Sequence, residues 1–335
     1  MDDPDIIAQL KNAGLIRGSE FEFKSLSGGV SSDIWIVSDR NNRLIVKRAR
    51  KKLMVDDDWY ADTGRNRIER EFANYIHRIL PGSVPAVLHF DDQLSYYAME
   101  YLGEPFQNWK LLLMNDNFES HIAVQAADLL VQIHNISRND PKARDAFISK
   151  QYFNSLRIEP YFITTGERHP KLKNIFRDEA NRLLSSKEVL VHGDFSPKNM
   201  MTGQGKVVLL DHEVAHFGDS AFDLAFLINH LLLKKLYHYK KIDKIPELPA
   251  VFWNRYSTNS DFGQSGEFDM RAAKLLLLLM LARIDGKSPV EYLNESQREF
   301  VRNFVYKLVK KVNLYVEEVI NEWNTQIKTQ LIENK

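Results

Sequence analysis

The sequence predicts an α+β chain in two lobes: a small antiparallel β-sheet lobe with one helix over residues 1–102, and a larger, mostly helical lobe over 103–335. Three observations point there. The β-branched and aromatic runs Ile34-Trp35-Ile36-Val37 and Leu44-Ile45-Val46 flank the turn-forming Asp39-Arg40-Asn41-Asn42. Residues 67–80 place Ile68, Phe72, Ile76 and Ile79 at helical spacing. From about residue 105 the strand-like alternation gives way to long helical periodicities.

Taken in order, Phe21-Glu22-Phe23 is a first strand, followed by the two runs above. The helix over 67–80 stops at Pro81-Gly82, which supplies neither a helical N–H nor a helical φ preference. Residues 84–90 and 96–99 are the closing strands. Residues 119–136 carry Ile122, Ala126, Leu129, Leu130 and Ile133 on one helical face. The stretch 137–187 is polar and poorly periodic, with one helix expected over 171–184. Residues 221–236, 270–284 and 289–323 are three further helices, and the tail beyond is polar and expected to fray.

Composition narrows the function classes. Charged residues make up 27 % and apolar residues 44 % of 335, as in ordinary globular chains. Lys plus Arg and Asp plus Glu both number 45, a balance that argues against wholesale nucleic-acid binding. The chain has no cysteine, so it can form no disulfide, thiolate nucleophile or zinc–thiolate site, and a reducing cytoplasm is expected. The acidic start, Met1-Asp2-Asp3-Pro4-Asp5, is unlike a secretory signal. The apolar run from Leu275 to Ala282 falls far short of the roughly 20 residues a membrane span needs, and reads as a buried helix of the larger lobe. No membrane partner is expected, and the chain is read as a monomer or homodimer.

The densest chemistry lies in Val191-His192-Gly193-Asp194-Phe195-Ser196-Pro197-Lys198-Asn199, followed by the strand Val207-Val208-Leu209-Leu210 and then Asp211-His212-Glu213. His-Gly-Asp with Asn at plus five, then Leu-Leu-Asp-His-Glu, resembles the aminoglycoside phosphotransferase and choline kinase superfamily of small-molecule kinases. The nearest branch is the methylthioribose-kinase-like one. Eukaryotic protein kinases carry His-Arg-Asp at the corresponding place. The resemblance extends over about residues 20–300, but only the block 191–224 is specific.

That resemblance implies a bilobal protein-kinase-like fold, ATP and Mg²⁺, and transfer to a hydroxyl of a small molecule such as a sugar, polyol or amino alcohol. It casts Asp194 as the catalytic base and Asn199 and Asp211 as Mg²⁺ ligands. It assigns the nucleotide to Gly28, Gly29 and Ser31 of a Ser-Gly-Gly hairpin, to Lys47 at the end of a strand, and to Glu100 and Leu102 at the interlobe hinge. The carboxylate expected on Lys47 is Glu71, with Glu69 as its competitor. His192 is read as structural, and Asp219 and Asp223 as anchors for the next helix. Where many kinases carry a lysine two residues after the base, Ser196 stands here and the lysine moves to 198. Rival readings are an antibiotic phosphotransferase, a protein kinase, and a non-catalytic nucleotide-binding protein of the same fold. Residues 220–330 show no dense acidic cluster of the kind a polycationic aminoglycoside demands. Arg283-Ile284-Asp285-Gly286-Lys287-Ser288-Pro289 is either a helix stop or part of a pocket for a sugar or small anion-bearing acceptor.

Overall fold

The computed structural model describes residues 3–17, 20–26, 31–54 and 59–333. The N-terminal region is one antiparallel sheet of five strands, β1 (Glu22–Ser25), β2 (Ser32–Ser38), β3 (Arg43–Ala49), β4 (Val87–Asp91) and β5 (Tyr96–Glu100), in the order β1-β2-β3-β5-β4. Side chains alternate across a sheet, so β3 sends Leu44 and Val46 to one face and Ile45 and Lys47 to the other. The first face is covered by α1 (Pro4–Asn12), whose Ile6 and Leu10 pack with Val37, Leu44, Val46 and Ala98. Each such burial stabilises by about 1.5–3 kcal/mol. Asp3 caps α1, accepting the N–H of Asp5 at 3.2 Å. This helix is not among the elements the sequence pattern predicts.

The second face meets α2 (Arg65–Ile79), the internal helix anticipated over 67–80. Its buried side, Arg65, Glu69, Phe72 and Ile76, follows the i, i+4, i+7, i+11 rule. Mixed polarity on that stripe already hints that α2 faces a site and not only a core.

After β5 the chain is mostly helical. A small second sheet joins β6 (Gln107–Asn108), β8 (Met200–Gly203) and β9 (Lys206–Leu209), and β7 (Val189–Val191) pairs with β10 (His216–Gly218). These short strands carry the loops of the candidate site. Helices α3 (Trp109–Met114), α4 (Ser120–Arg138) and α5 (Pro141–Ala146) lie between β6 and β7 in the chain. The stretch with little periodicity is in fact helical: α6 (Gln151–Phe153) runs through wide π-helical turns at Asn154–Ile163 into α7 (Thr164–Arg168), and α8 (Lys173–Ser185) follows. Wide turns shift successive side chains off the 3.6-residue period, which explains why a periodicity search passes over them.

The lobe centres on α9 (Ala221–Tyr237) and α11 (Gly266–Asp285), with α10 (Leu248–Asn259) beside α9 and α4. The apolar run Leu275 to Ala282 is buried on every side, as the sequence anticipates. The helix expected over 289–323 is two: α12 (Glu295–Leu308) and α13 (Val316–Ile327). A capping box starts α12, with Asn294 Oδ1 accepting the Gln297 N–H at 3.0 Å and Gln297 Oε1 accepting the Asn294 N–H at 3.1 Å. Asn313 at φ +55° lies in the break before α13. Among the described residues, no helix is long and apolar enough to cross a membrane.

Candidate active site

The His-Gly-Asp loop leaves β7 and is braced from α9. Asp223, in the first turn of α9, accepts the N–H groups of His192 at 2.6 Å and Gly193 at 2.8 Å. His192 Nδ1 accepts the Asp194 N–H at 3.0 Å, and its Nε2 donates to the Leu210 carbonyl at 3.0 Å. Burial pushes the imidazole pKa down, which keeps the neutral Nε2–H tautomer this pattern requires. His192 therefore ties the loop to the strand that leads into Asp211. Asp219, one residue before the N-cap Ser220, anchors the start of α9 by accepting the Ala221 N–H at 2.7 Å, whereas Asp223 holds the loop.

Gly193 sits at φ +80°. A Cβ there would lie 2.8 Å from Val214 Cγ2 and 2.9 Å from the Val214 carbonyl oxygen. No side chain, and least of all an arginine, fits at this position without displacing the segment after Asp211.

Asp194 is 4 % exposed. Its Oδ2 is 3.0 Å from both Arg157 Nη2 and Lys198 Nζ, so Oδ1 is the oxygen those cations leave open. Burial raises the carboxyl pKa, but Lys198 and Arg157 outweigh it and hold the group below its ordinary range, as a carboxylate. Arg157 also donates to the Gly193 carbonyl at 2.7 Å. It comes from the π-helical stretch, and nothing in the sequence signalled it.

Asn199 closes a short 3-10 turn, Pro197–Asn199, and donates from Nδ2 to the Asp194 carbonyl at 3.0 Å. That contact turns its Oδ1 away as a free acceptor. Asp211 follows β9 in the left-handed region, at φ +64°, a conformation that costs a non-glycine residue about 1 kcal/mol or more. Its Oδ1 is 2.5 Å from Lys47 Nζ. Burial would raise the Asp211 pKa, but Lys47 and then Lys198 hold it well below the usual carboxylate range. Asn199 Oδ1 and the Asp211 carboxylate are hard oxygen donors from adjacent loops, a set that fits Mg²⁺ completed by phosphate oxygens and water. Among the described residues, no group of three or more His, Asp or Glu side chains forms an all-protein metal cage.

Lys47 is 3 % exposed and reaches Glu69 Oε1 at 2.7 Å as well as Asp211. Burial alone would lower the lysine pKa, but Asp211 and Glu69 raise it well above its usual value. Burial pushes Glu69 up to about 7. The expectation that Glu71 pairs with Lys47 is corrected here: Glu71 takes Arg67 Nε at 2.7 Å on the outer side of α2. Helical rotation is the reason. Glu69 lies one turn from buried Arg65 and three residues before Phe72, whereas Glu71 is about 200° further round the helix axis.

Arg65 is a second group the sequence reading missed. It is fully buried, with Nε 2.9 Å from Glu213 Oε2 and Nη2 donating to the carbonyls of Ser31 at 2.5 Å and Arg50 at 2.6 Å. Glu213 is thereby engaged, and the Ser31 carbonyl anchors the start of β2. Gly28 and Gly29 lie outside the described residues. Glu100 ends β5, where its N–H donates to the Ala86 carbonyl at 2.9 Å, and Leu102 follows in the connection to the helical lobe. His212 stacks on Phe72 of α2, with ring centres 4.6 Å apart, and its Nε2 donates to the Leu209 carbonyl at 3.1 Å. His216 Nδ1 donates to the Val214 carbonyl at 3.0 Å.

Residues 22–236 match the phosphotransferase enzyme family, APH. Methylthioribose kinase of Klebsiella pneumoniae (strain 342) is 27 % identical over 256 residues, covering 66 % of this chain and 62 % of that protein. The chain thus spans less than two thirds of the length of that relative. A choline/ethanolamine kinase family protein from Mesorhizobium loti superposes with a TM-score of 0.54 at 12 % identity, over 96 % of this chain and 99 % of that one. An aminoglycoside phosphotransferase from Alicyclobacillus acidocaldarius gives 0.51 at 14 % identity, over 92 % of each chain. At such identities the two structures speak to the fold, a bilobal protein-kinase-like architecture. The matched span runs from β1 through α9 and takes in every side chain of the Lys47–Asp194–Asp211 cluster, so the chain belongs to the phosphotransferase enzyme family.

Proposed function

We propose that the chain is an ATP- and Mg²⁺-dependent phosphotransferase that phosphorylates a hydroxyl group of a small molecule. The single observation that carries this reading is the convergence of Lys47 from β3, Asp194 and Asn199 from the loop after β7, and Asp211 from the end of β9 onto one cluster of charged and amide side chains. Nucleotide binds between the lobe of residues 1–102 and the lobe of 103–335, with Lys47 on its phosphates and Asn199 and Asp211 holding the metal. Mg²⁺, when bound, supplies charge neutralisation on the phosphate oxygens.

The chain's own groups do the rest. Asp194 Oδ1 orients the acceptor hydroxyl and takes its proton as that oxygen bonds to the γ-phosphorus and the bond from the γ-phosphorus to the bridging oxygen breaks, with ADP as the leaving group. Its low pKa makes it a weak base, which suits a loose transition state where the proton leaves late. Arg157 and Lys198 fix the carboxylate by its other oxygen. Glu69 fixes Lys47 so that the ammonium is already placed when phosphate arrives.

The likeness to methylthioribose kinases favours a ribose-like or other polyol acceptor. Against a protein kinase stands the site of Gly193, which Val214 closes to an arginine. The deciding experiment is ATP turnover over a panel of sugars, amino alcohols, aminoglycosides and a generic protein substrate. Turnover with a small alcohol, lost in Asp194→Asn by a factor of at least about 100, supports the reading. Turnover that persists in Asp194→Asn, or labels only protein, sinks it.

A further inference from the structure

The helical lobe gathers cations next to the Asp194 loop that, among the described residues, form no ion pair with a carboxylate. Arg283, near the end of α11, places Nη1 3.1 Å from Tyr161 Oη and 2.9 Å from Ser288 Oγ. Tyr161 links back to the base, because Arg157, the Asp194 partner, lies 5.5 Å from its ring centre. Tyr161 stacks on Phe226 with ring centres 6.0 Å apart, and Phe226 packs against His230 at 5.1 Å. One turn on, Lys234 Nζ lies 5.1 Å from the Tyr292 ring centre. His230 is 6 % exposed and Lys234 is 3 % exposed. Among the described residues, neither Lys234 nor Arg283 has a carboxylate partner, and the nearby Glu291 is taken by Lys110 at 2.5 Å. Arg283 Nε and Tyr292 Oη are also buried without a hydrogen-bond partner.

Burying a lysine beside further cations is unfavourable unless an anion joins them. Burial, then Lys110 and Arg283, push Lys234 down to about 7, and burial with Lys234, Arg283, Lys198 and Lys110 lowers His230. A fold that needed only a packed core would place an apolar residue on α9 here.

We propose that the acceptor carries, besides its reacting hydroxyl, a carboxylate or phosphate group that docks on His230, Lys234 and Arg283. This deepens the phosphotransferase reading and rests on it. The substrate class is therefore a hydroxylated small anion, the opposite in charge to an aminoglycoside.

The test uses the full chain saturated with Mg²⁺ and a non-hydrolysable ATP analogue, titrated calorimetrically with D-ribose, D-ribonate and D-ribose 5-phosphate. At least one of the two anions binds about tenfold or more tighter than ribose, and Lys234→Met and Arg283→Gln each erase that preference. Preference for ribonate identifies a carboxylate; preference for the 5-phosphate identifies a phosphate. Equal response to the neutral and charged compounds, absence of response to all three, or an anion preference that survives both substitutions overturns the proposal. The shift in melting temperature with the Mg²⁺-bound nucleotide reports folding of each variant. Turnover of neutral alcohols with no gain from an added anion overturns the subsite alone, whereas failure to bind nucleotide overturns the kinase reading beneath it.

Discussion

Arg65 Nε lies 2.9 Å from Glu213 Oε2, joining the first residue of α2 to the segment that follows Asp211. The same guanidinium holds the carbonyls of Ser31 and Arg50, so one side chain fastens the β-sheet, α2 and the loop after Asp211 together. With Arg65 fully buried, loss of either partner strands a charge. Arg65→Met should destabilise the chain by about 3–5 kcal/mol, and the double variant Arg65→Met/Glu213→Met should recover much of that loss. Urea unfolding of Arg65→Met, Glu213→Met and the double variant checks it, and simple additivity would contradict the pairing.

Glu69, not Glu71, positions Lys47. Glu69→Gln should lower kcat/KM for ATP by about 10- to 100-fold, while Glu71→Gln should stay within about twofold, because an exposed helical ion pair contributes little. Steady-state kinetics over an ATP series separates the two, and comparable losses would refute the assignment.

Asp211 is the carboxylate shared between Lys47 and the proposed metal. Asp211→Ala should abolish the Mg²⁺-dependent part of nucleotide affinity, and chelating Mg²⁺ from the unaltered protein should reduce binding to a similar level. Calorimetry with and without EDTA reads both, and undiminished Mg²⁺–ATP affinity in the variant would remove Asp211 from the metal.

Gly193→Ala adds a Cβ at positive φ against Val214. It should cost about 2–3 kcal/mol of stability and reduce turnover, since relief requires moving the chain beside Asp211. Unchanged unfolding and activity would show that the loop yields more easily than its packing suggests.

Lys234 makes stability depend on pH in a direction opposite to a lysine held in an ion pair. Its folded pKa, about 7, lies below the ordinary 10.5 because of burial, Lys110 and Arg283, against which Glu291 acts only weakly. The unfolded chain binds the extra proton between those values, so stability rises with pH across that window. The penalty is complete below about pH 7 and gone above about 10.5. Lys234→Met should therefore stabilise the protein by up to about 5 kcal/mol at pH 6, with the gain shrinking toward pH 10. Denaturation at both pH values decides it; a pH-independent gain would place the lysine's charge outside the buried cluster.

Local pattern alone determined the two-lobed division of secondary structure, the α2 helix, the buried α11 run and the 191–224 block. Each is written in neighbouring residues: alternation across β2 and β3, the 3.6-residue repeat of α2, and the fixed spacing of Asp194, Asn199 and Asp211. Tertiary structure decided what the spacing left open. Glu69 won Lys47 over Glu71 because α2 turns only one stripe toward the sheet. Arg157 entered the site from a segment without a readable period and Arg65 from the head of α2, two residues before the predicted helix start, and the cations of α9 and α11 met only once those helices packed. A charge's partner is set by distance in space, and distance between remote segments is fixed by how the core closes.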